Sequence, residues 1–200
     1  MTTIGYEYRP GTLYLNVTNR CSNDCTFCVR QAPDFSLAGY NMRLEREPTV
    51  EEVLADISRQ QAVRGRPFQE VVFCGFGEPT YRLELIHTVG QSLREQGRRV
   101  RLNTNGEAAL INERDPLPEL DGALDEVSIS LNAPEGETYA ALCRPSFGEA
   151  AYPAVLDFIR RCVGRFEAVT VTVVGFTLEP EDLARCERIA GELGAGFRVR

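Results

Sequence analysis

Three cysteines, Cys21, Cys25 and Cys28, lie within the run CSNDCTFC. Their spacing, Cys-x3-Cys-x2-Cys, lets one loop present three thiolates to one face of a metal cluster. A four-iron site prefers four cysteines, so three leave one iron position open. In catalytic metal sites the open position is where a substrate or cofactor binds. Other reactive groups are scarce. His87 is the only histidine, which excludes a multi-histidine metal site, and it reads as a helix-edge residue. All 22 basic residues are arginine, so neither a Schiff-base lysine nor a phosphate-loop lysine is present. Cys74, Cys143, Cys162 and Cys186 are scattered and read as small buried or half-buried side chains.

The elements that position the cysteine loop follow from apolar periodicity. A strand is expected over 11–18 (GTLYLNVT), directly before the loop. A helix is expected over 50–64, with Thr49 and Glu52 as a capping box. A second, fully buried strand covers 69–75 and runs into GFGEPT. A helix over 80–96 carries Leu83, Ile86, Val89 and Leu93 on one face and stops at Gly97. RRVRLNTNG gives a third strand and turn, and 125–133 (DEVSISLNA) a fourth. A helical region broken near Pro145 and Pro153 follows, then a strand over 168–175, a helix over 179–193 and a last strand in FRVR. Six strands alternating with helices imply a parallel sheet. The expected class is α/β, a partial TIM barrel of (β/α)6 form in a single domain over 1–200; a doubly wound open sheet is the alternative. In either, the active face carries the carboxyl ends of the strands. CSNDCTFC, GFGEP, NTNG and SLNA all fall there. The long polar stretch from Arg30 to Pro48, with Tyr40, Asn41 and Arg43, is expected as a lid or substrate-contacting segment.

CSNDCTFC, with the aromatic Phe27 before its third cysteine, resembles the signature of the radical S-adenosylmethionine (SAM) enzymes. GFGEP resembles their GGEP motif, and TNG and SLN resemble their endings of strands three and four. Within that superfamily the runs LEREPTVEE, VVFCGFGEPT, LNTNG, SISLNA and LCRPSFGE look most similar to the TatD-linked radical SAM proteins. The resemblance implies that Cys21, Cys25 and Cys28 bind three irons of a [4Fe-4S] cluster and that SAM chelates the fourth. Reductive cleavage of SAM would give a 5′-deoxyadenosyl radical that takes hydrogen from an unknown small molecule or peptide. By the same resemblance, Phe27 lies by the adenine. The backbone of Gly75, Phe76, Gly77 and Glu78 receives the SAM amino group, with Glu78 holding the turn. Ser130 contacts the ribose, with Asn132 and Thr104 as further contacts, and Arg144 pairs with the SAM carboxylate. The family's strand-five glycine is matched loosely by Gly175. A reductant such as flavodoxin or ferredoxin, and a link to a TatD-type hydrolase, are implied partners.

Composition sets outer bounds. The 200 residues carry net charge −7, with 43% hydrophobic and 26% charged residues. An acidic balance gives no global attraction to nucleic acid or to anionic membrane. No apolar run approaches a membrane span, and the first residues, MTTIGYEYRPG, contain no apolar leader core. The expected compartment is the cytoplasm. An odd count of seven cysteines there argues for metal or redox chemistry over disulfides. Two other readings share the cysteine motif. One is an activase that acts on a glycine of a partner enzyme. The other is a structural zinc site with Cys74 or Cys143 as fourth ligand, although zinc cysteines usually come as two separated pairs.

Overall fold

The computed structural model describes residues 3–31, 35–37 and 39–200. A seven-stranded sheet runs through it. In chain order its strands are β1 (Gly5–Arg9), β2 (Thr12–Asn16), β5 (Glu70–Cys74), β6 (Arg99–Thr104), β7 (Glu126–Ser130), β8 (Ala168–Val173) and β9 (Gly196–Val199). From β2 to β9 the strands are parallel and lie side by side in sequence order. Sequential order leaves no point at which the chain reverses direction across the sheet, so the fold is a partial barrel and not doubly wound.

The antiparallel edge strand β1 is absent from the sequence reading. Its run GYEYR is short and half polar, and only pairing with β2 makes it a strand. A small hairpin of β3 (Ser36–Leu37) and β4 (Tyr40–Asn41) falls within the stretch expected as a lid; residues 32–34 and 38 of that stretch lie outside the described residues.

The helices are α1 (Val50–Arg64), α2 (Leu83–Glu95), α3 (Ala108–Asn112), α4 (Leu117–Leu120), α5 (Gly136–Cys143), α6 (Ala151–Cys162) and α7 (Pro180–Glu192). The Thr49 side chain accepts from Glu52 N–H while Glu52 accepts from Thr49 N–H, and Gly65 ends α1 in left-handed conformation. The helix expected over 80–96 starts later, because Pro79–Arg82 forms a 3-10 turn. Pro153 does not break the chain: it lies in the first turn of α6, where the missing N–H has no intrahelical partner to lose.

Period-two geometry gives the sheet two chemically distinct faces. One packs Leu13, Leu15, Phe73, Leu102, Ile129 and Val171 against the helices in the main core. The opposite, concave face carries Tyr14 and Val72 under a second cluster with Tyr6, Met42 and Phe76. Half-buried Val29, Phe35, Leu37 and Tyr40 pack on that cluster, so the stretch after the cysteines covers the β1–β5 side of the concave face.

Candidate functional site

The cysteine loop leaves the carboxyl end of β2 and is held from two sides. On one side is the end of α5. Thr26 N–H donates to Leu142 O (2.9 Å) and Asp24 N–H to Cys143 O (3.1 Å). Last-turn carbonyls have no intrahelical donors, so the loop amides complete the helix and the helix fixes the loop. Ser146 N–H adds a bond to Ser22 O (2.8 Å). On the other side is GFGEP, where Glu78 N–H donates to Arg20 O (2.8 Å). A Cβ on Gly77 would stand 2.4 Å from Arg20 O and 2.6 Å from Thr18 O. Glycine at 77 is therefore what lets the two loops touch.

Glu78 is the hub of this end of the barrel. Its buried carboxylate accepts from Thr80 N–H (3.1 Å), the Thr80 and Thr104 hydroxyls (2.7 Å each) and Asn105 N–H (2.7 Å). Burial pushes its pKa up, while the donors from Asn105, Thr104 and Thr80 pull the other way. Asn105 then donates to Ser22 Oγ (2.8 Å), joining the β6 end to the cysteine loop. Asn16 does the same for β2: its amide donates to Met42 O (2.7 Å) and its Oδ1 accepts from Phe76 N–H (3.1 Å). Gly75, at φ +134°, sits against it, since a Cβ there would meet Asn16 Oδ1 at 2.6 Å.

The three cysteines are half-buried free thiols. Burial, and then the Glu78 carboxylate, pushes the Cys21 thiol up to about 12. A hydrogen bond with the buried Cys143 thiol, and then burial, pushes Cys25 up. Burial pushes Cys28 up. Ligation must displace these protons, so binding a metal releases them. Behind Cys25, the Asn132 amide donates to Cys143 Sγ (3.6 Å), which makes a relay Asn132–Cys143–Cys25. Among the described residues, no three His, Cys, Asp or Glu side chains converge as ligands of one ion. A cluster asks for a wider arrangement than a single ion, because each thiolate meets a different iron. One loop carrying three soft thiolates, fixed at both flanks, fits that demand.

The remaining residues expected at the site spread over its surroundings. Phe27 is half-buried and packs on the main core, and Phe76 is buried in the second cluster, with Phe35 edge-on at 5.6 Å. Thr104 commits its hydroxyl proton to Glu78 and accepts from Gly106 N–H (3.1 Å). Ser130 lies on the concave face and accepts from Arg200 (3.0 Å). Asn132, in left-handed conformation, has a buried Oδ1 with no hydrogen-bond partner. Arg144 is exposed, and its N–H caps α5 on Ala140 O (3.1 Å). Gly175 lies where a Cβ would meet Val199 at 2.7 Å, which closes β8 against β9. His87 is remote, its Nδ1 2.8 Å from Glu119 O. Four positions that support the loops, Asn16, Ser22, Asn105 and Glu107, went unread in the sequence. Glu107, fully buried, accepts from the Tyr139 hydroxyl (2.8 Å) under the cysteine loop. Asn in a strand ending is a signal for the first and third of these; nothing marks the others.

Known proteins match this arrangement. The model of the radical SAM superfamily covers residues 15–187. A probable dual-specificity RNA methyltransferase, RlmN 1, of Opitutus terrae is 31% identical over 128 residues, which are 61% of this chain and 33% of that protein. The chain thus spans about a third of the length of the curated relative it matches. A radical SAM methyltransferase from Sphaerobacter thermophilus has the same fold, with TM-score 0.65, 22% identity, and coverage of 96% of this chain and 56% of that one. So does SuiB of Streptococcus suis in its complex with S-adenosylmethionine, with TM-score 0.65, 14% identity, and coverage of 93% and 39%. These two likenesses speak to the fold; the family model, which takes in the cysteine loop, GFGEP and the strands from β5 to β8, speaks to descent. The chain belongs to the radical SAM superfamily, whose cofactors are a [4Fe-4S] cluster and SAM.

Proposed function

We propose that this chain is the catalytic core of a radical SAM enzyme in which Cys21, Cys25 and Cys28 hold the cluster. The observation that carries the reading is one loop with three thiols, clamped between GFGEP and the end of α5 at the carboxyl ends of the strands. With the cluster and SAM bound, the cofactors supply reductive carbon–sulfur cleavage and a 5′-deoxyadenosyl radical that abstracts hydrogen. The protein's own part is placement. Phe76 and Glu78 spend their N–H groups on Asn16 and Arg20, and Glu78 O accepts from Tyr81 N–H, which leaves the carbonyls of 75–77 to accept from the SAM amino group. Ser130, whose own hydroxyl proton is not needed by Arg200, can donate to a ribose oxygen. Arg144 is exposed beside the loop for the carboxylate, Asn132 backs Cys25 through Cys143, and Phe27 flanks the adenine. Thr104 acts through Glu78. The cluster over the β1–β5 side of the concave face would exclude water from that side of the site.

The resemblance of LEREPTVEE, VVFCGFGEPT and LCRPSFGE to the TatD-linked proteins supports placing the chain beside them, with a single domain over 1–200 and a possible TatD-type hydrolase link. The substrate is a small molecule or peptide, and the electron donor a flavodoxin or ferredoxin. Seven free thiols fit the reducing cytoplasm, and no helix among the described residues is long and apolar enough to cross a membrane.

The test is anaerobic reconstitution with iron and sulfide, followed by SAM and dithionite and an assay of 5′-deoxyadenosine. Formation in the wild type and its loss in Cys25→Ala is expected. A colourless protein that forms none, or a Cys25→Ala variant that assembles cluster and cleaves SAM, contradicts the reading. Turnover that appears only with a glycyl-radical partner enzyme would favour the activase instead.

A further inference from the structure

Charge on the concave face is balanced at one end and not at the other. Towards the amino ends of the strands, Glu70 closes on Arg101 with two bonds (2.9 and 3.2 Å), and Arg99 pairs with Glu126 and Glu167. Arg198 on the last strand, β9, and Arg200 just past its end on the same face have no ion-paired carboxylate among the described residues. The Arg198 guanidinium reaches over β8 to Ser128 Oγ (3.5 Å), and its buried Nε has no hydrogen-bond partner. Burial, then the charges of Arg101 and Arg9, push its pKa down. Arg200 donates to Ser130 Oγ (3.0 Å). Arg200 is exposed and follows the carboxyl end of β9, on the rim from which the cysteine loop leaves β2.

Two guanidiniums two residues apart on one face, with no ion-paired carboxylate among the described residues, repel each other, and the buried, unpartnered Nε of Arg198 adds to the cost. Guanidinium forks match the oxygens of phosphate and carboxylate, and their bonds are strongest where water is excluded. The other half of the face is filled by the Tyr6–Phe76 cluster, so the polar half over β6–β9 is the part left for a ligand.

We propose that Arg198 and Arg200 bind an oxyanion of the substrate, a phosphate or carboxylate group, and so fix the substrate against the cysteine loop. Ser128 adds a hydroxyl beside it. The inference rests on the reading of this face as the reaction chamber, but the anion site is a separate claim from SAM cleavage and is tested separately.

The experiment is calorimetric titration of the full chain with inorganic phosphate and, in parallel, with acetate, both as isolated and after cluster reconstitution. One saturable site is expected, and the tighter of the two anions identifies the group. Arg198→Gln and Arg200→Gln should each weaken it about tenfold, the scale of one charge-assisted bond. Arg198→Lys, which keeps the charge, should recover part of the loss, and Arg188→Gln, on the exposed side of α7, should bind as the wild type does. Retained circular dichroism in each variant separates lost binding from lost fold. No saturable site, or equal affinity in all variants, overturns the proposal. So does displacement of the anion by SAM, which would assign the pair to the SAM carboxylate. Anion binding that depends on the arginines in a protein that never cleaves SAM would support this site and refute the proposed reaction.

Discussion

Replacing Gly77 by alanine tests how the two loops of the site are joined. Gly77 is not in left-handed conformation, so alanine meets no backbone strain there and the whole effect is steric. The added Cβ would lie 2.4 Å from Arg20 O, about 1 Å inside ordinary contact. The obstacles are backbone atoms of residues 18–20, which have no rotamer to escape into. Overpacking of this kind costs about 1–3 kcal/mol. Moving Arg20 away by that distance also breaks the Glu78 N–H bond to its carbonyl, worth about 1 kcal/mol. Together these imply a loss of roughly 2–4 kcal/mol, or a fall in Tm of roughly 4–16 °C for a chain of this size. Thermal unfolding of the metal-free protein measures it, and iron content after reconstitution should fall with it, since the cysteines ride on the displaced loop. Gly191→Ala is the matched control: it is helical, has open space around it and should gain about 0.5–1 kcal/mol. A Gly77→Ala protein with Tm within about 1 °C of wild type and full iron loading would refute the claim that this glycine sets the distance between the loops.

Glu78→Gln turns one acceptor oxygen into a donor that must face either Asn105 N–H or the Thr80 and Thr104 donors; a loss of about 1.5–3 kcal/mol in chemical denaturation is expected, and an unchanged midpoint would contradict the role of Glu78 as an all-acceptor hub. Once Cys25 is a ligated thiolate it has no proton to give, so the neighbouring Cys143 S–H becomes the donor; Cys143→Ala removes it, and donors to cluster sulfurs favour the reduced state. The midpoint potential of the loaded protein should therefore drop by about 20–40 mV, from a bond of roughly 0.5–1 kcal/mol and about 59 mV per tenfold for one electron, as read by EPR-monitored titration. Burial alone would raise the pKa of Glu70, but the Arg101 bonds and charge, with Thr12, outweigh it and hold the carboxyl below its ordinary value. Stability from this pair is present above the ordinary Glu range of about 4.3 and is lost as pH falls through the lower folded value, so Glu70→Gln should flatten the acid limb of the stability profile. A variant with the wild-type acid limb would show that the pair contributes nothing.

Much of the frame was legible because parallel strands buried on both sides read as short apolar runs. VVFC is such a run, VSIS and VTVTV alternate apolar and small hydroxyl residues with the period of a strand, and the Gly- and Asn-rich turns after them mark the carboxyl ends. GYEYR was not legible, since an edge strand with exposed Tyr8 has no apolar run to show and owes its shape to β2. In the site, the cysteine spacing and GFGEP carried local signals that survive without tertiary context. Ser22 and Glu107 carry none: Ser22 acts by a bond to Asn105, 83 positions away, and Glu107 by one to Tyr139, so only folding brings out the role. The same holds for Arg198 and Arg200. They read only as part of a last strand, and the sheet alone turns them toward Ser128 and Ser130.

The central claim is that three thiolates of one loop hold a four-iron cluster whose remaining iron is completed by SAM. EPR of the reconstituted, reduced protein with and without SAM tests it most directly. The account predicts a one-electron-reduced [4Fe-4S] signal in the wild type that changes when SAM is added and is missing in Cys21→Ala, Cys25→Ala and Cys28→Ala. A signal that SAM leaves unaltered, or one that survives loss of any of the three cysteines, would contradict it.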